Sequence, residues 1–182
     1  MRSSKNDMRY RPLSGGEIDV PLFSSFIRRQ EVTLCLRRIG GAWRETPAPF
    51  IDDWDEEDYA FLVRCLRSTV RAGGVVFGAF SGGRLKGFAS VEAAPAGSRG
   101  QYRDLTSLHV SADLRRHGAG KQLFALAAAW ARSQGAQKLY ISSHSAVESQ
   151  AFYAAMGCTD AQEIDEDHAR REPFDRQLEY LL

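Results

Sequence analysis

The stretch from residue 104 to residue 126 joins an apolar strand, a basic loop with two glycines and the start of a helix. The strand ends at Val110, and after a polar turn the chain reads Arg115-Arg116-His117-Gly118-Ala119-Gly120-Lys121. Apolar residues then recur at helical spacing, so the loop leads directly into a helix. The first turn of a helix has unpaired backbone N–H groups and the positive end of the helix dipole. Because glycines let a phosphate approach these groups and basic side chains add charge, the stretch predicts a phosphate site.

Composition restricts the ligand of this site to a small molecule. The chain of 182 residues has a formal net charge of +1, whereas general nucleic-acid binding needs a strong basic excess. We therefore expect a small polyanion at the basic loop and no nucleic-acid partner. Hydrophobic residues make up 43% of the chain and charged residues 26%, which is typical of a soluble globular domain, here one domain over residues 1–182. The polar residues 1–7 are expected to be disordered.

The sequence contains no recognisable signal region or membrane span. The first eleven residues include no apolar run, and no stretch approaches the length of about 18 apolar residues that a membrane helix needs. The three cysteines, Cys35, Cys65 and Cys158, are odd in number and widely spaced, which suits reduced thiols. We expect a cytoplasmic protein with no membrane partner and no bound metal.

The first half of the chain is interpreted mainly as helices and a loop. Residues 8–13 are expected to form a short edge strand, and a helix is expected from Pro21 to Arg29. The run 32–39 is compatible with either a continued helix or a strand. Two glycines and two prolines indicate a loop over residues 40–53. The acidic residues 55–58 suit the first turn of another helix.

The second half predicts an antiparallel meander followed by alternating helices and strands. Ser81-Gly82-Gly83 is a hairpin-type connection. A strand, a helix and a strand in succession imply a right-handed crossover, which places strand 137–142 parallel to strand 102–110. Strands are expected over residues 75–80, 85–93, 102–110, 137–142, 160–165 and 174–182, and helices over residues 118–135 and 145–156.

The phosphate loop resembles a motif of one known family. It has the spacing of neither a P-loop nor the dinucleotide-binding pattern Gly-x-Gly-x-x-Gly. Arg-x-x-Gly-x-Gly directly after a Leu-His-Val strand instead resembles the coenzyme A-binding motif of the GNAT superfamily of N-acetyltransferases.

A second segment is similar to another GNAT signature. Gln150 to Cys158 contains the pair Phe152-Tyr153 and a glycine four residues later. Cys158 stands where the family usually has an aromatic residue, Ser149 replaces a common alanine, and the asparagine often found at the helix start is absent. Either Ser145 or Ser149 is expected to supply the polar contact to coenzyme A that this asparagine makes in relatives.

The resemblance implies a mixed α/β (α+β) fold in three layers, with helices on both faces of a twisted, mostly antiparallel sheet. Two central parallel strands splay apart to admit coenzyme A, and acetyl-CoA is the implied cosubstrate. The pantetheine arm is expected to pair with the strand that ends at Val110, and the pyrophosphate to sit on the N–H groups of residues 117–121. The implied coenzyme-binding residues are Leu108, His109, Val110, Arg115, Arg116, His117, Gly118, Ala119, Gly120, Lys121 and Ser149.

The implied chemistry is attack by a neutral amine on the acetyl thioester. Such a reaction needs a donor to the developing oxyanion, a base for the amine proton and an acid for the leaving thiolate. In relatives the acid is the tyrosine of the second motif, which matches Tyr153, and a phenol is neutral at pH 7. A backbone N–H at His109 or Val110 is expected to polarise the thioester carbonyl.

The general base is open between two carboxylates. In several relatives it lies on the pairing strand, eleven residues before the first residue of the phosphate-loop motif, which is Asp104 here. Glu92 on the preceding strand is the rival. Strand alternation is expected to put Asp104, Thr106, Leu108 and Val110 on one face.

The histidines are weaker candidates for this role. The same alternation turns His109 to the face opposite Asp104, where it is expected to serve in packing. His144 lies near the expected mouth of the gap and is a further possibility, whereas His168 is expected at the surface.

Two functions are compatible with the resemblance. The first is an acetyl-CoA-dependent N-acetyltransferase acting on a small primary amine, in preference to peptide N-termini or protein lysines. The alternative is a non-catalytic acyl-CoA-binding sensor or interaction module on the same fold. Residues 23–54 are expected to build the acceptor site, and strand 174–182 is a candidate edge for a homodimer. The acceptor-site candidates are the aromatic residues Trp43, Phe50 and Trp54 and the acidic residues Asp52, Asp53 and Asp55.

Overall fold

The computed structural model describes residues 8–182, so the expectation of disorder for residues 1–7 lies outside the described part. The chain forms nine strands, four α-helices and two short 3-10 turns within this range. The strands are β1 (Met8–Pro12), β2 (Arg29–Ile39), β3 (Ala42–Asp53), β4 (Val75–Ser81), β5 (Arg84–Val91), β6 (Tyr102–Val110), β7 (Lys138–Ser143), β8 (Thr159–Asp160) and β9 (Arg176–Leu181). The helices are α1 (Glu56–Arg71), α2 (Ala119–Ser133), α3 (Val147–Met156) and α4 (Glu166–Arg171), and the 3-10 turns are Val20–Phe23 and Ala112–Leu114.

Seven strands form one sheet in the order β1-β4-β5-β6-β7-β9-β8, and β2 and β3 form a separate hairpin. Among the nine described strands only β6 and β7 run parallel, and they pair at three positions, the last of which joins Asp104 to Tyr140. From Leu105 onward the edge of β6 that faces β7 has no strand partner among the described residues. The mixed, mostly antiparallel sheet with a splayed parallel pair is therefore confirmed.

Apolar side chains cover both faces of the large sheet. On one face, Leu105 and Leu139 pack against Leu123 and Phe124 of α2. On the other face, Phe88 packs beneath α1 and the first 3-10 turn. Burying one such side chain contributes about 1.5–3 kcal/mol, so the two clusters fix the helices on opposite sides and complete the three layers. No helix among residues 8–182 is long and apolar enough to cross a membrane.

The acidic run begins α1 as predicted. The Asp55 side chain accepts hydrogen bonds from the backbone N–H groups of Glu57 and Asp58. The Asp58 side chain in turn accepts from the N–H of Asp55, which completes a reciprocal cap. Asp55 is therefore used as a helix cap, not as an acceptor contact.

The segment between residues 20 and 53 differs from the prediction. The expected helix from Pro21 to Arg29 is only a 3-10 turn at Val20–Phe23, and the ambiguous run after it is strand β2. The expected loop over residues 40–53 is strand β3. Gly40 and Gly41 have φ angles of +58° and +81°, so they form the tight turn that a two-residue hairpin requires. Prolines are tolerated in β3 because it pairs only with β2 and leaves its other edge free.

The C-terminal segment contains a helix that the sequence interpretation missed. The strand expected over residues 160–165 is reduced to Thr159–Asp160, and α4 follows it. Asp165 caps α4 by accepting from the N–H groups of Asp167 and His168. β9 lies between β7 and β8, so it is not a free edge along its whole length. The homodimer stays a prediction.

A β-bulge in β6 overturns the predicted alternation. Ser107 pairs with Ser90, but the next pair joins Leu105 to Val91, so Thr106 is an extra residue on β6. As a result Leu105 and Leu108, three residues apart, pack in the same core cluster. Asp104 and His109 are their neighbours in sequence and share the opposite face. The prediction that Asp104 and Leu108 lie together on one face, away from His109, was wrong.

Candidate active site

A cleft of about 1200 Å³ opens where β6 and β7 separate. One wall is β6 from Leu105 to Val110, and the other is the end of β7 with α3. The N-terminus of α2 lies at one end of the cleft, and residues at or next to the open end of the β2–β3 hairpin also line it. Most of the predicted coenzyme-binding residues line this cleft: Leu108, His109, Val110, Arg115, Arg116, Gly118, Ala119, Gly120, Lys121 and Ser149.

The α2 end of the cleft provides unpaired backbone donors. Gly118 caps the helix with a φ of +84°, no side chain caps this end, and the first backbone bond of the turn runs from Gln122 N–H to the Gly118 carbonyl at 3.1 Å. The N–H groups of residues 119–121 therefore have no partner within residues 8–182. A Cβ added to Gly120 would lie 3.2 Å from Phe152 Cε2, so the glycine keeps this end open. An anion fits here.

The basic side chains around this end differ in position. Arg115 Nε donates to the Val110 carbonyl at 3.3 Å, which holds the guanidinium beside the end of β6. Arg116 and Lys121 also line the cleft. His117 bonds through Nδ1 to the Arg115 carbonyl at 2.8 Å and does not line the cleft, so its side chain supports the loop.

Tyr153 lies on α3 with its side chain 9% exposed and lines the cleft. Its ring packs against Phe124 and Phe152, with centroids 6.4 Å and 5.1 Å away. The hydroxyl group has no hydrogen-bond partner in the described part of the chain. Burial, followed by the nearby Cys158 and Asp175, raises the pKa of this phenol above its ordinary value, so it stays protonated throughout the neutral range.

His109 lines the cleft from the face shared with α1. Its ring lies edge-on to Trp54, with centroids 4.9 Å apart, and packs against Phe88 at 5.3 Å. Burial, with the positive charges of Arg28 and Arg115, lowers the pKa of His109 to about 3. The imidazole is therefore neutral, in agreement with a packing role.

The two carboxylates expected to act as base lie outside the cleft. Glu92 accepts from Thr69 Oγ1 of α1 at 2.6 Å and from Thr106 Oγ1 at 3.2 Å. Asp104 lines a second pocket of about 360 Å³ and bonds to His168 Nε2 at 2.5 Å. His168, expected at the surface, is thus a partly buried partner of Asp104. The structure does not bring either carboxylate to Tyr153.

Asp104→Asn is expected to destabilise the protein more at pH 5.5 than at pH 9. The hydrogen bond that His168 Nε2 donates to the Asp104 carboxylate raises the pKa of His168 above its ordinary value. The stabilisation of the folded state by the His168–Asp104 pair is therefore fully present below the pKa of His168 in the unfolded chain, about 6.5. It is lost as the pH rises through the higher pKa of His168 in the folded state. A hydrogen bond to a charged group contributes about 1.5–3 kcal/mol, so the variant should lose about this much free energy of unfolding at pH 5.5. Urea unfolding at several pH values measures it.

Asp167→Asn is the control for this experiment. Asp167 lies on α4, next to His168, and pairs with Arg170 at the surface, at 3.4 Å. Exposed pairs contribute little, so this variant should match the wild type at every pH. A loss for Asp104→Asn that does not change with pH would contradict the assigned role of the pair.

The far end of the cleft contains residues that the sequence interpretation missed. Arg28 is 10% exposed and donates to Asp52 Oδ2 at 2.5 Å, with its guanidinium 5.1 Å from the Trp54 ring centre. Trp54 and Asp52, both expected in an acceptor site, line the cleft here. Arg28 was expected at the end of a helix. Its position beside Asp52 in the cleft follows from the pairing of β2 with β3.

The other expected acceptor residues have structural contacts. Phe50 packs on His144 with centroids 5.4 Å apart, and Trp43 contacts Arg176 at 4.9 Å. Asp53 lies 3.6 Å from Arg29. The Phe50–His144 contact, with Leu36 N–H donating to the Ser145 carbonyl at 2.7 Å, holds the β2–β3 hairpin against the segment before α3.

A mixed sheet with one parallel pair splayed around a cleft is the fold of the coenzyme A-dependent acetyltransferases. The sequence profile of the acetyltransferase (GNAT) family matches residues 40–158, which is more than half of the chain. The chain belongs to this family. Comparison with curated proteins gave no match.

Several solved structures share this fold across almost the whole chain. Nourseothricin acetyltransferase is 18% identical, with 96% of each chain covered and a TM-score of 0.65. A protein from Bacillus anthracis, assigned as a streptothricin acetyltransferase and solved with acetyl coenzyme A, is 14% identical, covers 97% of this chain and 98% of its own, and has a TM-score of 0.71. PaiA N-acetyltransferase from Thermoplasma acidophilum, in complex with coenzyme A, is 14% identical, with 97% and 100% covered and a TM-score of 0.58.

Proposed function

We propose that the protein is an acetyl-CoA-dependent N-acetyltransferase whose acceptor is a small primary amine. The observation that carries the proposal is a single continuous cleft with unpaired helix N–H groups at one end and the Tyr153 phenol in its wall. Two of the structural neighbours were solved with acetyl coenzyme A or coenzyme A, which supports the choice of cosubstrate.

The residues of the cleft fit an extended thioester with a phosphate-rich end. N–H groups of residues 119–121, with Arg116 and Lys121, suit the pyrophosphate. Beyond Leu105, β6 offers backbone groups that no strand in the described range occupies, and these suit the amide-containing pantetheine arm. Ser149 on α3 lines the same space and adds a hydroxyl.

Tyr153 is the proposed general acid. The amine nitrogen attacks the acetyl carbon, a C–N bond forms, the C–S bond breaks, and the electron pair leaves with sulfur. The raised pKa of Tyr153 keeps its proton on the oxygen until this thiolate forms. A backbone N–H of His109 or Val110, both in the cleft wall, is proposed to polarise the thioester carbonyl.

A non-catalytic acyl-CoA sensor is the second candidate. One observation favours it: Asp104 and Glu92, the expected bases, are both tied to other elements outside the cleft. An enzyme needs another proton acceptor, whereas a sensor needs none. Release of free thiol with an amine present separates the two functions.

Acetyl-CoA at about 100 times its dissociation constant should stabilise the protein by roughly 2.7 kcal/mol. For a domain of this size the melting temperature then rises by about 2–4 °C per kcal/mol. Thermal unfolding with and without acetyl-CoA measures the shift, and adding a panel of small amines while free thiol is followed tests turnover. Absence of any shift with acetyl-CoA, coenzyme A and longer acyl-CoAs would contradict the coenzyme assignment. A shift without thiol release would favour the sensor.

A further inference from the structure

We propose that Asp175, a residue between α4 and β9, is the general base that removes the proton from the acceptor amine. The inference rests on the proposed function and supplies the proton acceptor that Asp104 and Glu92 do not provide. Asp175 lines the cleft. It directly precedes Arg176, which pairs with Ser143 at the end of β7, so it sits where the wall of the splayed gap begins.

A chain of oriented hydrogen bonds holds one oxygen of this carboxylate. Asp165 N–H donates to the Tyr140 hydroxyl at 3.0 Å, and that hydroxyl therefore donates its own proton to Gln177 Oε1 at 2.5 Å. Gln177 Nε2 donates to Ser142 Oγ at 3.0 Å. The single proton of Ser142 is then directed at Asp175 Oδ2, 3.0 Å away.

The second oxygen of Asp175 is free to accept a proton. Oδ1 has no hydrogen-bond partner within the described residues, and no ion pair involves Asp175 in that range. Asp175 and Tyr153 of α3 both line the same cleft, so the proposed base and acid border one space. A geometry in which the amine lies between a carboxylate and a phenol is what acyl transfer to nitrogen requires.

Asp175 is also poised to exchange a proton. Burial raises the pKa of Asp175, and the Glu172 charge on the same segment adds to this effect. The Ser142 hydroxyl of β7 and the electrostatic interactions with His144 and His168 act in the opposite direction. A base whose pKa is closer to the working pH is more effective than an ordinary exposed aspartate.

The other carboxylates and histidines that line the cleft are less suited to this role, and two of them, Glu148 and Glu172, are exposed to solvent. His144 Nδ1 accepts from the Ala146 N–H at 3.0 Å, so the neutral ring carries its proton on Nε2 and its accepting nitrogen is occupied. The low pKa of His109 makes it a poor proton acceptor. Asp52 is paired with Arg28, and Glu31 with Arg29 at the surface.

The proton balance of the step is complete. The nitrogen lone pair forms the C–N bond, and sulfur leaves with the electrons of the C–S bond. Asp175 Oδ1 takes one proton from the positively charged nitrogen, directly or through one water, and Tyr153 gives one proton to sulfur. Transfer of the Asp175 proton through solvent to the Tyr153 oxygen restores both groups.

Asp175→Asn is expected to lower kcat with acetyl-CoA and an amine by about 10²–10⁴-fold, the usual contribution of a general base. The thermal shift caused by acetyl-CoA alone should match that of the wild type, which shows that the variant folds and binds. In the wild type the rate should fall at low pH as the Asp175 carboxylate becomes protonated. The residual rate of Asp175→Asn should not show this fall. Asp175→Glu keeps a carboxylate and should recover at least about tenfold over Asp175→Asn, because the proton acceptor is present but displaced by one methylene.

Two further variants complete the test. Ser142→Ala releases Oδ2, so it should shift the low-pH limb of kcat/KM and lower the rate less than Asp175→Asn does. Glu166→Gln removes one exposed negative charge from the first turn of α4, outside the cleft, and should leave the rate unchanged. If the wild type turns over but Asp175→Asn loses less than about tenfold, below the range of general-base catalysis, the assignment of Asp175 is overturned alone. If no amine releases thiol with the wild type, the proposed function itself fails.

Discussion

Tyr153→Phe is expected to lower kcat by about 10²–10⁴-fold while leaving the affinity for acetyl-CoA nearly unchanged. The variant keeps the ring that packs against Phe124 and Phe152 and removes only the hydroxyl. Since that hydroxyl has no protein partner in the described range, its loss leaves no buried polar group unsatisfied. Stability should therefore stay close to that of the wild type.

The rate loss has a specific cause. Without the phenol the thiolate must leave unprotonated or take its proton from water, which costs the general-acid contribution. The raised pKa of Tyr153 also means that the wild type should show no loss of activity from phenol ionisation as the pH rises through the neutral range. Free thiol release under saturating acetyl-CoA measures kcat, and titration without an amine measures coenzyme affinity.

Tyr180→Phe is a matched control for this experiment. Tyr180 packs against the same Phe124, with ring centroids 5.0 Å apart, but does not line the cleft. Its variant should keep wild-type turnover. Equal turnover in the two variants would remove Tyr153 from the mechanism.

The sequence predicts the part of the fold from α1 to α3 well because local patterns decide it. Apolar residues at helical spacing define α2, and the Asp55 cap with its acidic turn defines the start of α1. The order of strand, helix and strand requires the parallel pairing of β6 and β7. These features depend on neighbours in sequence, so the chain shows them without its tertiary structure.

The hairpin of β2 and β3 could not be predicted in the same way. Gly40-Gly41 and the prolines of β3 occur in loops and in edge hairpins alike, and only pairing with β2 distinguishes the two. The loop interpretation hid the place of Arg28 and Asp52, which come together because these strands pair. The Gly40-Gly41 dipeptide was the one usable sequence signal, since Gly-Gly is a favoured hairpin turn and both glycines have positive φ in the structure.

The residues of the candidate site also fall into those that local sequence patterns predict and those that depend on the tertiary structure. Residues of the two motifs line the cleft because each motif is one continuous segment. The predicted face of Asp104 was wrong because a single extra residue, Thr106, reverses the strand alternation, whereas the choice of Asp104 itself depended on its spacing from Arg115. Asp175 has no local signal, because its place in the cleft comes from β9 pairing with β7 and from the polar chain through Ser142.

Gly120→Asp is expected to weaken acetyl-CoA binding by at least about 100-fold, which corresponds to about 2.7 kcal/mol. A Cβ at this position would lie 3.2 Å from Phe152 Cε2 and 3.7 Å from Val110 Cγ2, so any side chain enters the space between α2, α3 and the end of β6. A carboxylate there also repels a phosphate at close range, where Coulomb energies are largest. Bulk and charge therefore act together against the coenzyme.

Folding should survive this change, which makes the variant informative. An acidic side chain in the first turn of a helix interacts favourably with the helix dipole, so α2 itself gains a little stability. The unliganded melting temperature should stay near that of the wild type, while the shift caused by acetyl-CoA disappears.

Two controls separate the causes of the loss. Gly120→Ala adds bulk without charge and should weaken binding by a smaller factor. Gln122→Asp adds the same charge to the same turn on an exposed position outside the cleft, and should keep most of the affinity. Calorimetric titration of acetyl-CoA into the four proteins gives the comparison. Because the phosphates are the groups that the carboxylate repels, wild-type affinity in Gly120→Asp would show that they bind elsewhere, and the unpaired N–H groups of α2 would then need another ligand.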